Sequence, residues 1–264
     1  MNIISAINWS ADPEIFRIGV VSIRWYGLLF SLAFIIGYQI MSWIFRSENK
    51  KQKDLEALTI WMIVGVVAGA RLGHCFFYDS SYYLANPLEI LMVWKGGLSS
   101  HGAGFGILIA MWLFTRTRND ISYIWALDRV AVIVPLAAFF VRLGNFMNSE
   151  IIGKSSELPW AVVFTHVDKI PRHPSQLYEA ISYIIIFLIL FFIYKKHKSN
   201  LPEKRLMSLF LVLLFSLRFF VEFFKENQSG FEKGLPIDMG QILSIPFIIA
   251  GIIFLIQSFR NKTT

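Results

Sequence analysis

Residues 141–153, VRLGNFMNSEIIG, put Arg142, Asn145 and Asn148 at the end of a mainly apolar run, 123–140, that is otherwise long enough to lie in lipid. Charge in a hydrocarbon environment costs several kcal/mol and is usually kept because it faces a partner or a wet cavity. The i, i+3, i+6 spacing places the three polar side chains on roughly one face of a continuing helix, a face suited to holding an anion. The stretch therefore reads as the functional end of a membrane helix.

Composition sets the same class around it. Of 264 residues 55% are hydrophobic, 16% aromatic and only 16% charged, against about 25% charged in an ordinary soluble domain. Seven segments are apolar enough to span: 18–45, 57–78, 96–114, 123–145, 177–194, 206–224 and 239–259. Each approaches the ~17 to 25 residues a bilayer core demands. The expected fold is an all-α polytopic membrane protein, one domain over 1–264, with no internal repeat or low-complexity linker.

Loop charge orients the chain, because basic residues collect in cytoplasmic loops. Connections 46–56, 115–122 and 195–205 with the tail after Phe259 hold 13 basic against 5 acidic residues. The N-terminal arm and the alternate connections hold 7 against 10. The chain is thus expected to start outside and end in the cytoplasm. The spans keep Arg24, Arg71, Arg129, Arg142 and Arg218 with Asp128, Glu179 and Glu222, which completes the net charge of +7. The basic excess sits in short inner loops, where topology and anionic head groups account for it, so nucleic acid is not an expected partner.

Asp12 and Glu14 precede the first span in place of a basic n-region, so that span reads as an anchor and not a cleaved signal. Cys75 is the only cysteine, which rules out an internal disulfide and a thiolate metal cluster. No His, Asp and Glu group has metal-ligand spacing, so neither metal nor cofactor is expected. The arm, 1–17, with Ile3, Ile4, Ile7, Trp9 and Phe16, reads as interfacial, Trp9 lying at head-group level. Arg24 and Tyr26 follow, a turn or two inside the first span. Ala68, Gly69, Ala70 and Gly73 predict close helix packing. The run 88–94 is too short to span and reads as a surface or re-entrant piece. The glycines of 96–104 predict irregular backbone, with His101 at the break. Residues 149–176 form the longest outer connection, a small periplasmic lobe with a strand at 160–164 and no helix across Pro171 to Pro174. Arg218 and Glu222 are spaced to pair at i, i+4.

With this orientation Arg24, Tyr26, Arg71, His101, Arg142, Asn145, Glu179, Arg218 and Gln241 all fall in the outer halves of their spans. The natural guest for several guanidinium groups is a phosphate, and a phospholipid entering from the outer leaflet fits the charge and the depth.

The same residues carry a resemblance. RLGNFMNSEIIG resembles the signature of the prolipoprotein diacylglyceryl transferases, and HPSQLYEA, SSHGAGFG, RFFVEFF and GQILSIP occur in the family's order over almost the whole chain. The resemblance implies a seven-span enzyme of the bacterial inner membrane with its site toward the periplasm. It would move diacylglyceryl from phosphatidylglycerol to a lipobox cysteine of a prolipoprotein, giving a thioether and glycerol phosphate. It implies that His101, Arg142 and Asn145 are essential or nearly so, and it matches Gly153, Tyr26 and Arg218 to family positions. With the charge and depth of the other polar residues, His101, Arg142 and Arg218 are expected to be catalytic and Tyr26, Asn145, Asn148, Glu150, Gly153, Arg24, Glu222 and Gln241 to bind substrate. Two departures stand out: Ala103 replaces a second glycine after His101, and Leu214 and Phe215 stand where a tyrosine is usual.

The chemistry asks for two things. A thiol attacks only as thiolate, and the departing phosphate ester needs its charge stabilised. Arg142 and Arg218 suit the second demand, with Asn145 adding a hydrogen bond, and His101 suits the first as base, or else donates a hydrogen bond to the head group. The alternative, a lipid or anion transporter of the inner membrane, should show repeat symmetry and gates on both sides, whereas this polarity is one-sided.

Overall fold

Each of the seven apolar segments folds around a helix, because apolar side chains dominate it and a helix satisfies its own backbone hydrogen bonds. The computed structural model describes residues 7–19, 21–226 and 237–260; Ile3 and Ile4 of the arm and the end of the basic tail, 261–264, lie outside them. The helices are α1 (Trp25–Ser47), α2 (Gln52–Phe77), the short α3 (Ser80–Ala85), α4 (Ser100–Arg116), α5 (Tyr123–Met147), α6 (Ser175–His197), α7 (Arg205–Glu222) and α8 (Met239–Arg260). Asn49 just beyond α1 and Lys198 just beyond α6 take positive φ, as residues that close helices do.

Five of these helices, α1, α2, α5, α6 and α8, are long and apolar enough to cross a membrane. The expected seven are met in this coarser form: α4 has 17 residues, and α7, with 18, carries Arg205, Arg218 and Glu222. Pro135 within α5 and Pro246 within α8 are the kind of interruption that membrane helices tolerate. Ile60, Val64, Phe105, Ile181 and Ile253 lie exposed on helix faces, as lipid-facing residues do.

The chain divides into two compact units, one of residues 1–40 with 128–264, the other of 41–127. In the second, α2 and α4 pack through a glycine seam. A Cβ at Gly65, Gly69 or Gly73 would run into Gly102, Gly106 or Ala110, so only glycine lets these backbones approach so closely. At the other end of this unit Arg118 pairs with Asp54 at 2.5 Å and the Trp125 indole donates to Glu48 at 2.6 Å. Residues 88–94 fall in two 3-10 turns, Pro87–Leu91 and Val93–Lys95, with Leu88, Leu91 and Trp94 exposed. The glycine-rich entry is irregular at Gly96 and Gly97, both at positive φ, but the helix starts at Ser100. His101 therefore sits in the first turn of α4 and not at a break.

The first unit begins with strands. β1 (Ile7–Trp9) runs parallel to β4 (Val162–Phe164), which pairs antiparallel with β5 (Pro171–Arg172). Phe146, Val162 and Phe164 form the core of this lobe, with Trp9, Ile152 and Leu177 against it. The strand expected at 160–164 is thus present from Val162. The arm is docked on the lobe: the Trp9 indole donates to Phe146 O at 3.1 Å and its ring lies 4.4 Å from that of Phe146. β2 (Glu14–Ile18) and β3 (Val21–Arg24) make a hairpin turning at Gly19, φ 60. Consequently the first helix starts at Trp25, and Arg24 is an exposed strand residue ahead of it, not a side chain inside a span. β-branched Val21 and Ile23 beside the Gly19 turn favour strand pairing over helix here.

α7 is anchored at its start by an acid from another helix. Asp128 of α5, 1% exposed, accepts from the backbone N–H of Lys204 (2.6 Å) and of Met207 (2.9 Å), donors that a helix start leaves unpaired. Along α7, Leu211 and Val212 close on Gly251 of α8, and Phe215 stacks on Phe247 at 4.3 Å. The position where a tyrosine was expected is filled by an apolar contact.

Candidate active site

The signature stretch changes conformation where α5 ends. Backbone N–H groups of Asn148, Ser149 and Glu150 close onto Gly144, Phe146 and Asn145, and then Ser149 and Ile151 both take φ 55. A β-branched residue in the left-handed region is strained by roughly 1–2 kcal/mol. Neighbouring side chains hold it there: Ser175 Oγ donates to Ile151 O at 3.0 Å and Gln176 Nε2 to Glu150 O at 2.7 Å. The turn brings the Glu150 carboxylate back to the helix end, where it accepts from Asn145 Nδ2 (3.2 Å) and Asn148 Nδ2 (3.1 Å). Asn145 Oδ1 in turn accepts from Arg142 Nη1 at 3.1 Å. The i, i+3, i+6 face is real, and it converges on an acid.

Arg142 also reaches sideways. Its Nε lies 2.8 Å from Glu179 Oε2, a carboxylate whose side chain is fully buried. The other oxygen of Glu179 accepts from Lys225 Nζ (3.1 Å) and from the Tyr183 hydroxyl (3.0 Å), and Lys225 also bonds Glu222 at 3.1 Å. Glu222 thus pairs with Lys225, three residues on, and not with Arg218. Its carboxylate rests on Gly240, where a Cβ would stand 2.6 Å from both oxygens. Arg218 adds positive charge to the field at Glu179 and Tyr183 and makes no hydrogen bond or ion pair among the described residues. Arg142 and Lys225 thus match Glu179 and Glu222 in charge, and no carboxylate among the described residues forms an ion pair with Arg218.

The remaining expected residues are placed as follows. The Tyr26 ring packs on Gly144, where a Cβ would lie 2.7 Å from Cδ2, and the phenol feels the charges of Glu150 and Arg142. Gly153 bridges to Lys225 and donates to His173 O at 3.1 Å; a Cβ there would meet His173 and Phe224 backbone. Gln241, 1% exposed, is held at both ends of its amide, accepting from Asp238 N (3.1 Å) and donating to Phe219 O (3.3 Å), so it ties α8 to α7. Arg24 lies on the hairpin. His101 belongs to the other unit and is exposed.

Sequence reasoning passed over Lys225, Tyr183 and Gln176. Tyr183 follows Glu179 by four residues on α6, a spacing that was legible on the helix, whereas Lys225 lies three residues past the end of α7. Gln176, wholly buried, keeps Oε1 without a partner among the described residues, as do Asn148 Oδ1 and Ser149 Oγ. Beside the cluster, in the lobe, Arg172 donates to Asp168, to Gly153 O (3.2 Å) and to Glu226 (3.0 Å). Those bonds hold the Asp168 carboxyl below its ordinary value, and burial lowers the His173 imidazole.

Comparison with known proteins bears on this geometry. A family model described as prolipoprotein diacylglyceryl transferase matches residues 13–257. The phosphatidylglycerol–prolipoprotein diacylglyceryl transferase of Tolumonas auensis is 46% identical over 254 residues, covering 96% of this chain and 98% of that protein. The protein of the same name from Chloroherpeton thalassium is 45% identical, covering 99% and 97%, and that of Bacteroides fragilis 43%, covering 99% of each. This chain belongs to the prolipoprotein diacylglyceryl transferase family.

Proposed function

We propose that this chain transfers the diacylglyceryl group of phosphatidylglycerol to the lipobox cysteine thiol of prolipoproteins, in the first step of lipoprotein maturation. The thiolate sulfur attacks the glyceryl carbon that carries the phosphate ester. A C–S bond forms, the C–O bond to phosphate breaks, and glycerol phosphate leaves with the electron pair on its oxygen. The observation that carries the reading is the Arg218 guanidinium, without a hydrogen bond or ion pair among the described residues, beside the balanced ion cluster of Arg142, Lys225, Glu179 and Glu222. Its donors are available to a phosphodiester, bidentately. Arg142, fixed by Glu179 and Asn145, supplies the second charge, and the strained 149–151 turn presents Glu150 and the two asparagines to the head group. His101 takes the thiol proton, and the departing charge is met by groups already in position.

Topology supports the same reading. β1 and β4 pair, so the chain returns to its starting side between Trp9 and Val162, which takes an even number of crossings. With α1, α2 and α5 crossing, α4 must be the fourth. Likewise Gly153 bridges to Lys225, so α7 must cross as α6 does. Adding α8 makes seven crossings the count we propose, and the excess of basic residues in the loops expected inside supports a site on the periplasmic side of the inner membrane.

The test is transfer of radiolabelled diacylglycerol from phosphatidylglycerol to a lipobox peptide. Wild-type protein should yield a thioether and glycerol phosphate, and Arg218→Met should lower kcat/KM at least a hundredfold, on the scale of losing a charge-stabilising donor. Unchanged transfer by the variant would remove Arg218 from the phosphate site.

A further inference from the structure

Arg71 lies in α2 at 2% exposure, with no carboxylate partner among the described residues. Its Nε donates to Ile90 O at 3.0 Å, Nη1 to Gly96 O at 2.5 Å and to Gly97 O at 3.4 Å, and Nη2 to Glu89 O at 2.5 Å. The guanidinium also faces the Tyr83 ring at 4.9 Å. Four of its five N–H donors are thus committed to main-chain carbonyls, which leaves too few for a phosphate. A buried cation with no counter-ion is expensive, and an apolar side chain of similar volume fills such a place at less free energy. Its presence implies that those carbonyls need holding.

The carbonyls belong to the segment that leads into α4. Gly96 and Gly97 take φ of 85 and 70, and Gly97 sits where a Cβ would meet the His74 ring at 2.6 Å and Arg71 Nη1 at 2.9 Å. Two residues later Ser99 N–H donates to Ala70 O at 2.9 Å while its hydroxyl caps Gly102 N–H at 3.3 Å. Gly102 then packs on Gly69 and Gly73. His101 is bracketed on both sides by contacts to 69–74 of α2, with Arg71 in their midst.

We propose that Arg71 is a positioning residue for His101: by gathering the carbonyls of 89–97 it delivers that histidine to a single place in the first turn of α4. Its catalytic consequence rests on the role given to His101 above. The test uses full-length protein in nanodiscs containing phosphatidylglycerol, with Arg71→Met, Arg71→Lys and, as a perturbation of the same carbonyls that leaves the charge alone, Gly97→Ala. Carbethoxylation of His101 by diethyl pyrocarbonate is followed residue by residue by mass spectrometry, against His166, His173 and His197 as references. In Arg71→Met the His101 rate should change at least threefold while the references hold. The kcat for transfer should fall tenfold or more with KM for phosphatidylglycerol within twofold. Lysine should not rescue, because one ammonium cannot span these carbonyls, and Gly97→Ala should reproduce the pattern. An unchanged His101 rate in both Arg71→Met and Gly97→Ala overturns the proposal, and so does a loss confined to KM, which would make Arg71 a lipid ligand. Full activity in His101→Gln removes the base assignment instead, and leaves the positional claim to the modification rate.

Discussion

Glu179 illustrates how one buried carboxylate can hold a site together. It meets Arg142 and Lys225 at 2.8 and 3.1 Å and takes the Tyr183 hydroxyl. Removing one partner of a buried ion cluster strands the others, at about 3–5 kcal/mol. Glu179→Gln should therefore lower unfolding stability in detergent by that order, and a loss under about 1 kcal/mol would contradict the centring of the cluster on this residue. Asp168 gives a pH-dependent case. Its carboxyl is lowered from 3.8, first by the Arg172 hydrogen bonds, so its contribution is present above that value and fades as pH falls through the folded one. The pair is partly exposed, so it adds only about 0.2–1 kcal/mol. Amides of Val162–Phe164 should exchange faster at pH 3 than at pH 5 after correction for intrinsic rates, and Asp168→Asn should flatten that difference. At this scale the sequence showed the Arg142, Asn145 and Asn148 face. It did not show that Glu222 would turn to Lys225, because α7 ends at Glu222 and the bridge to Gly153, not helical spacing, fixes where Lys225 lies.

Among elements, α2 and α4 make the sharpest contrast. In α4 a Cβ at Gly106 would run into Gly65 and Gly69, whereas one at Gly104 meets nothing within 4 Å. Gly106→Ala should therefore destabilise by about 1–3 kcal/mol through forced separation, and Gly104→Ala should be neutral or stabilising by up to about 1 kcal/mol. Paired thermal unfolding of the two variants measures this, and equal effects would mean that the seam is not rigid. The small residues of α2 announced this packing in advance, since little besides close approach requires glycine inside a long apolar helix. The hairpin before α1 was not legible in the same way. Residues 18–24 are as apolar as the helix they precede, and hydropathy alone cannot separate a β-branched strand from the first two turns of a span.

For the molecule as a whole, composition and loop charge were sufficient to place the chain in a membrane, but not to count its crossings. Five helices qualify by length and composition, and strand pairing supplies the argument for the other two. The seven-span arrangement predicts that cysteines at Lys51 and Lys169 label from opposite sides with a membrane-impermeant maleimide. Native Cys75 is fully buried and should give little background. Labelling of both from the same side would dismantle the topology. The pairing of Ile7–Trp9 with Val162–Phe164 also sets an order of events during biosynthesis. The ribosome makes the first strand long before its mate, so on the proposed seven-span arrangement four helices cross while Trp9 still lacks its partner strand. Chains arrested short of residue 162 should leave that indole open to quenchers, and the lobe beside the 149–151 turn is the last of the early segments to seal.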